Sequence, residues 1–526
     1  MKPRHLLITI MALVALMGGA AQNEAAHATG ATSAQSATAM AQHNVNQASQ
    51  GLLPDTQQGG SVTLGQPTTP LESMLNTDGT LNTESGFSGS LDPKGWRMDA
   101  SAGIPHFLRD SSTAQAGGAT QGPAKAAKGT KGTDAISPSI AGDENWDGRF
   151  GTSSVDNSVY AMALNGTTGD IYVGGLFTTA GGVSANHIAR WNHNGWSSLG
   201  TGLNNNVYVI AVSGADVYAG GTFTQAGGAA ANHIARWNGT TWSALGSGTN
   251  NDVRALGAGG NGDVYAGGAF TQAGGVVANH IARWNGTTWS ALGSGTNNSV
   301  YTVAVSGAYL YVGGNFTQAG GAAANYIAKW SNNAWSALGS GMDNTVLAIG
   351  VRGNGDVYAG GAFSTAGGVA AKYIANWNGV TWLALGSSMN DYVDAIAVSN
   401  TDVYAGGLFT TAGGATTSYI ARWNGSSWSA LGSGMNDSVY SIVVSGNGDV
   451  YAGGDFSTAG GVSAKFIAKW NGSVWSALGT GMNNSVDAIT VSGNGDVYAG
   501  GAFTTAGGVN ANYIAKWNGS TWSPLG

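Results

Sequence analysis

Three sets of side chains in this 526-residue sequence have both the chemistry and the spacing to act together. His187, His233 and His280 stand 46 and 47 residues apart, and neutral imidazole is the commonest metal ligand. A basic residue precedes a Trp at Arg190, Arg236, Arg283, Lys329, Arg422, Lys469 and Lys516. An Asp recurs about 20 residues before it, at Asp170, Asp216, Asp263, Asp402, Asp449 and Asp496, and also at Asp356. The third set consists of short amides and carboxylates: Asp156-Asn157, Asn204-Asn205, Asn250-Asn251-Asp252, Asn297-Asn298, Asp343-Asn344, Asn390-Asp391, Asn436-Asp437 and Asn483-Asn484. Such groups suit sugar hydroxyls or, through their carboxylates, Ca²⁺.

Because each set recurs at one spacing, its first duty is structural, and departures from the spacing carry more information. The positions equivalent to the three His hold Tyr326, Tyr373, Tyr419, Phe466 and Tyr513. A site shared by His, Tyr and Phe is an aromatic packing site. The Arg/Lys and Asp series reads as a cross-strand pair or a turn bond, one per copy. The Asx pairs bond their own backbone in tight turns. One position does vary: Tyr160, Tyr208, Arg254, Tyr301, Leu347, Asp394, Tyr440 and Asp487. Tyr and Arg are common anchors of binding surfaces. The candidate ligand face is therefore Tyr160, Tyr208, Arg254, Tyr301, Asp394, Tyr440 and Asp487, together with Asn251, Asp252, Asp343, Asp391 and Asp437. No catalytic residue is assigned, because no acid–base pair stands out.

The element that must position these residues is a repeat. The Phe of Gly-Gly-x-Phe falls at 177, 223, 270, 316, 363, 409, 456 and 503, and two Trp per copy account for 16 of the 18 in the chain. A period in the forties fits a propeller blade or a helical pair; dense Gly and period-2 alternation exclude helices. In the last copy, Val486–Val491, Val497–Phe503, Tyr513–Trp517 and Thr521–Leu525 read as four strands, with a loop at 506–512 and a hairpin at Asn518-Gly519. Radial repetition hides the edges that so many strands would otherwise expose. The expected fold is all-β: an eight-bladed β-propeller of four-stranded antiparallel blades, preceded by a low-complexity linker. Trp146 to Gly151 imitates a fourth strand and is expected to cap the first blade.

Val497-Tyr-Ala-Gly-Gly-Ala-Phe503 and Ile514-Ala-Lys-Trp-Asn-Gly-Ser-Thr-Trp522 resemble kelch-type repeats. They are closer still to secreted bacterial propeller repeats, which are similar to the extracellular propellers of fungal Rax-type polarity markers. The resemblance covers Val159 to Gly526 and implies a propeller that binds proteins, binds sugars or carries an enzyme. The copper chemistry of the galactose-oxidase branch needs a Tyr–Cys crosslink, and this chain has no Cys.

Residues 1–21 read as a secretory signal: Lys2 and Arg4, an apolar run from Leu6 to Met17, then Gly19-Ala20-Ala21. That run is too short to span a bilayer, which takes roughly 20 helical residues, and no second one follows. Residues 22–143 are rich in small and polar types and read as a linker. Within it an island at 86–108 is either a short hairpin or a sticky patch. A net charge of −7 with 9% charged residues offers no basic footprint for nucleic acid. The function expected is a non-catalytic, monomeric, secreted or cell-surface propeller, without a cofactor unless Ca²⁺, that recognises envelope glycans or another secreted protein. The alternative is a glycan-cleaving hydrolase or lyase built from the irregular copies.

Overall fold

The computed structural model describes residues 69–70, 91–92, 96–99, 106–109, 154–399 and 401–525. The signal segment 1–21, the remaining linker residues and the Trp146–Gly151 imitation lie outside the described residues. The chain divides into two units. In the smaller one, Thr69–Pro70 runs parallel to Leu91–Asp92, and Trp96–Asp99 pairs antiparallel with His106–Arg109 in a hairpin across the island.

The larger unit is an eight-bladed propeller of eight four-stranded antiparallel sheets. The second blade shows the plan. Its inner strand Val207–Ser213 pairs with Asp216–Gly221, which pairs with Ile234–Trp237, which pairs with the outer strand Trp242–Ala244. Segment 225–230, expected as a loop, is a two-stranded ribbon instead: Gln225–Ala226 against Ala229–Ala230. Gly227 and Gly228 close it with φ of 61° and 82°, the two left-handed residues that a tight type I′ hairpin requires. Every blade has this ribbon, including the segment at 505–510 in the last copy.

Two glycines set how closely the blades approach. A Cβ on Gly220 would lie 2.6 Å from Val253 Cγ1 of the next inner strand, and one on Gly221 would lie 2.0 Å from the Asn206 carbonyl. Only glycine lets the second strand pass here. The same pair faces a β-bulge: Val207 opposes Gly221 and Val209 opposes Gly220, so Tyr208 is the extra residue. All eight inner strands carry this irregularity at the equivalent position.

The core lies between blades. Each of eight apolar clusters joins neighbouring sheets, and the Phe of every Gly-Gly-x-Phe is fully buried in one of them. A hydrogen bond reinforces each seam. The second Trp of a blade donates its indole N–H to the Leu carbonyl that ends the preceding blade, as Trp242 does to Leu199 and Trp382 to Leu338, both at 2.6 Å. The ring closes by the same device. Trp196 donates to Leu525, Ser154 Oγ donates to the Ile514 carbonyl, and residues of the first and last copies share one cluster. Every four-stranded sheet is made of consecutive strands, so closure rests on packing and these bonds rather than on strand exchange.

Gly220→Ala is expected to lower stability by about 1–3 kcal/mol through overpacking. Adding Val253→Ala should offset part of that loss, because the two sites share one contact. Denaturant melts of both singles and the double measure the coupling; strictly additive losses would contradict the steric account.

Candidate functional site

The eight bulges bring the variable positions together. Inner strands line the axis, and the bulge lies near the end where each enters from the preceding blade. Tyr160 and Tyr208 have ring centroids 6.2 Å apart, and the Arg254 guanidinium lies 5.9 Å from the Tyr301 ring centroid. Tyr160 is within electrostatic reach of Asp487 across the closing seam, and Tyr440 is within reach of Asp394 and Asp487 on either side. Seven of the twelve residues expected from sequence thus form one ring at the channel mouth. Leu347 occupies the remaining bulge.

The ring is polarised. One arc holds Tyr160, Tyr208, Arg254 and Tyr301, with Asp252 3.7 Å from Arg254. The other holds Asp394, Tyr440 and Asp487, and the Tyr440 hydroxyl donates to Asp455 at 2.8 Å. Burial, then the Asp455, Asp487 and Asp394 charges, push Tyr440 far above the usual phenol range. Burial, then Tyr208 and Asp487, do the same to Tyr160. Both are therefore neutral hydrogen-bonding groups at any physiological pH. Arg254, Asp394 and Asp487 are buried, while Tyr208 and Tyr440 remain half-buried.

Asp455 was not legible as a site residue in the Asx pattern. It occupies the x of Gly-Gly-x-Phe, which reads Leu176, Thr222, Ala269, Asn315, Ala362, Leu408, Asp455 and Ala502. Departure from the repeat at that position was the available signal. Asn315 belongs to the same rim and accepts a 2.7 Å bond from Thr345 Oγ1.

The Asx pairs do different work. The first member of each clips the ribbon. Asn204 Oδ1 accepts from the Thr224 and Gln225 amides at 2.8 and 2.9 Å, while its Nδ2 donates to Thr224 Oγ1. Asp343 accepts all three of its bonds, from the Ser364 and Thr365 amides at Oδ1 and from the Ser364 hydroxyl at Oδ2. Asn251, Asp391 and Asp437, second members, each accept from the following amide at 2.8 Å. These four expected site residues are thus turn and clip residues. Among the described residues, no three His, Cys, Asp or Glu side chains are grouped to hold a metal ion.

The other repeated sets are structural as well. The eight aromatic residues at the His positions hold φ between 62° and 68°, rare for bulky side chains. His187 Nδ1 lies 3.1 Å from the Gly175 carbonyl, and burial pulls the imidazoles of His187 and His280 below their ordinary pKa. The basic residues pair across strands with Asp at 2.7–3.0 Å in six blades, as in Arg190–Asp170 and Lys516–Asp496. The other two compensate. Tyr309 replaces the Asp and receives Lys329 over its ring, and where Asn376 replaces the cation, Arg352 covers Tyr358.

Burial opposes the charge on Asp343, but bonds from the Ser364 hydroxyl and the Thr365 and Ser364 amides outweigh it and hold the carboxyl below its usual range. Its stabilising effect is therefore complete above the ordinary carboxylate pKa and is lost as pH falls through the depressed value. Asp343→Asn, the residue of six other blades, is expected to keep stability at pH 7 and to remove this part of the acid loss. Melts from pH 7 down to 2 read both effects.

Residues 167–195, from the inner turn to the outer turn of the first blade, match a family model described as a domain of unknown function (DUF5122) beta-propeller. No curated protein matches the chain. Among solved structures, the WD40 beta propeller domain of Doa1 is similar at 13% identity and a TM-score of 0.37, over 66% of this chain and 90% of that one. The extracellular domain of a proposed hybrid two component system from B. thetaiotaomicron is also similar at 13% identity, with a TM-score of 0.37 over 69% of this chain. An extracellular domain described as that of a one component system from the same organism gives 13% and 0.33 over 68%. The chain spans 38% and 45% of those two proteins.

Proposed function

We propose that this chain is an exported, non-catalytic binding module whose ligand, an envelope glycan or a segment of another secreted protein, docks at the channel mouth. The observation that supports the reading is the ring itself. The position before the bulge is Val in all eight inner strands and the one after it is a small or β-branched residue, Ala in five, whereas the bulge position holds Tyr, Arg, Leu or Asp and its side chains meet across seams. A residue needed only to build its own blade would repeat. A rim of phenols, carboxylates and an Arg supplies donors and acceptors for a ligand that crosses both arcs. The signal-like segment 1–21 supports export, and the linker between it and the propeller would serve as a stalk.

Catalysis is not part of the proposal. The Tyr440 hydroxyl is committed to Asp455 as a donor, and burial with the neighbouring carboxylates keeps that phenol protonated. Ca²⁺ is not invoked either, because the Asx oxygens are engaged by backbone amides.

The full secreted chain is to be screened on a glycan array and by pull-down from secreted protein, each with Ca²⁺ and with EDTA. Saturable binding unchanged by EDTA is expected, weakened at least tenfold by Tyr208→Phe with Asp455→Asn. Binding that ignores both substitutions would place the ligand elsewhere. Turnover of a bound glycan would overturn the non-catalytic reading in favour of a hydrolase or lyase.

A further inference from the structure

The blades are not equivalent at the opposite end of the channel. Two residues separate the first and second strands in the second, fourth and sixth blades, between Ser213 and Asp216, Ser306 and Tyr309, and Ser399 and Asp402. Three residues do so in the third, fifth, seventh and eighth, as between Ser445 and Asp449 or Ser492 and Asp496, and four do so in the first, between Asn165 and Asp170. A second marker follows the same division. The exposed ribbon residue is Val183, Val276, Val369, Val462 or Val509 in long-turn blades, and Ala229, Ala322 or Ala415 in short-turn blades. Long and short therefore alternate around the ring until the seam, where the seventh, eighth and first blades are consecutive long-turn blades.

A cavity of about 620 Å³ opens at that break, lined by the turns of those three blades. Its volume lies in the range of small-ligand sites. Leu164, Val444 and Val491 give it apolar surface, and the Asn447 and Asn494 amides, whose Oδ1 atoms accept from Ser445 and Ser492 and whose Nδ2 atoms donate to Asp449 and Asp496, each keep one further N–H. The charged groups in its wall, Lys469 and Asp449, are paired at 2.7 Å, so an ionic ligand would have to compete with that pair. Glycines at 446, 493 and 495 leave peptide groups uncovered, and a Cβ at any of them would meet nothing within 4 Å. Mixed donors and acceptors beside apolar patches, without net charge, match a ring that carries hydroxyls on its edges and C–H groups on its faces.

We propose that this cavity is a second binding site, distinct from the channel mouth, for a neutral saccharide of one or two rings. The exposed peptide groups and the remaining N–H of Asn447 and Asn494 take its hydroxyls, and Val444 and Val491 take its C–H face. The site exists because three long turns adjoin only where the ring closes.

The test titrates the full chain with a panel of neutral mono- and disaccharides by ligand-observed NMR, with glucosamine and glucuronate as charged controls. Gly446→Phe and Gly493→Phe fill the cavity from backbone that has room for a side chain. A second variant replaces Ser492–Asp496 with the Ser-Gly-Ala-Asp turn of residues 213–216, which this fold already accommodates. Saturable binding of a neutral sugar is expected, reduced at least tenfold by either variant and unchanged by Tyr208→Phe with Asp455→Asn. Absence of saccharide binding, equal binding of the charged controls, or binding that survives both cavity variants on folded protein would each overturn the proposal. Loss through the Tyr208 and Asp455 variant alone would assign the sugar to the mouth instead.

Discussion

Close approach of neighbouring blades at the paired glycines is the constraint on which the rest depends. The first glycine of the pair admits the Val of the next inner strand, and the second admits the carbonyl that begins the bulge. Remove that clearance and the inner strands can neither pack around the axis nor take up an extra residue. The bulge, in turn, releases one residue per blade from the in-and-out alternation of the strand. Packing geometry and the variable ring therefore share one cause.

Stability is distributed in eight similar slices. Each seam holds a buried Phe, a tilted pair of Trp rings on the outer hairpin, and an indole bond to the neighbouring blade. Closure without strand exchange makes the seam between last and first copies resemble the other seven. Bonds found only there, such as Tyr498 to His193 at 3.1 Å, supplement the common plan. A molecule built this way can change residues outside the repeated Phe, Trp and Gly packing at little energetic penalty. Variation accordingly collects at the two ends of the channel.

The repeated charges show how to tell structure from function in such a chain. Where the Asp is missing, Tyr309 accepts the lysine; where the cation is missing, Arg352 approaches from the turn that follows the inner strand. A contact that is replaced in kind when one partner changes belongs to the framework. Neither end of the channel behaves so. The mouth carries Tyr, Arg, Leu and Asp at one position, and the opposite end owes its cavity to a break in the order of turn lengths.

The sequence by itself determined the blade count, the strand order within a blade and the packing role of the His positions. Those follow from local periodicity, glycine placement and the equivalence of copies. It also singled out the variable position, since departure from a repeat is visible without coordinates. Only the tertiary structure decided that this position is a bulge, because a bulge is defined by the partner strand. The same holds for the division of the Asx residues into ribbon clips and turn bonds, and for the place of Asp455 beside Tyr440, 15 residues away. Ring closure lies furthest from sequence. Trp196 and Leu525 meet across nearly the whole domain, and the three adjoining long turns become neighbours only when the two ends of the repeat array are brought together.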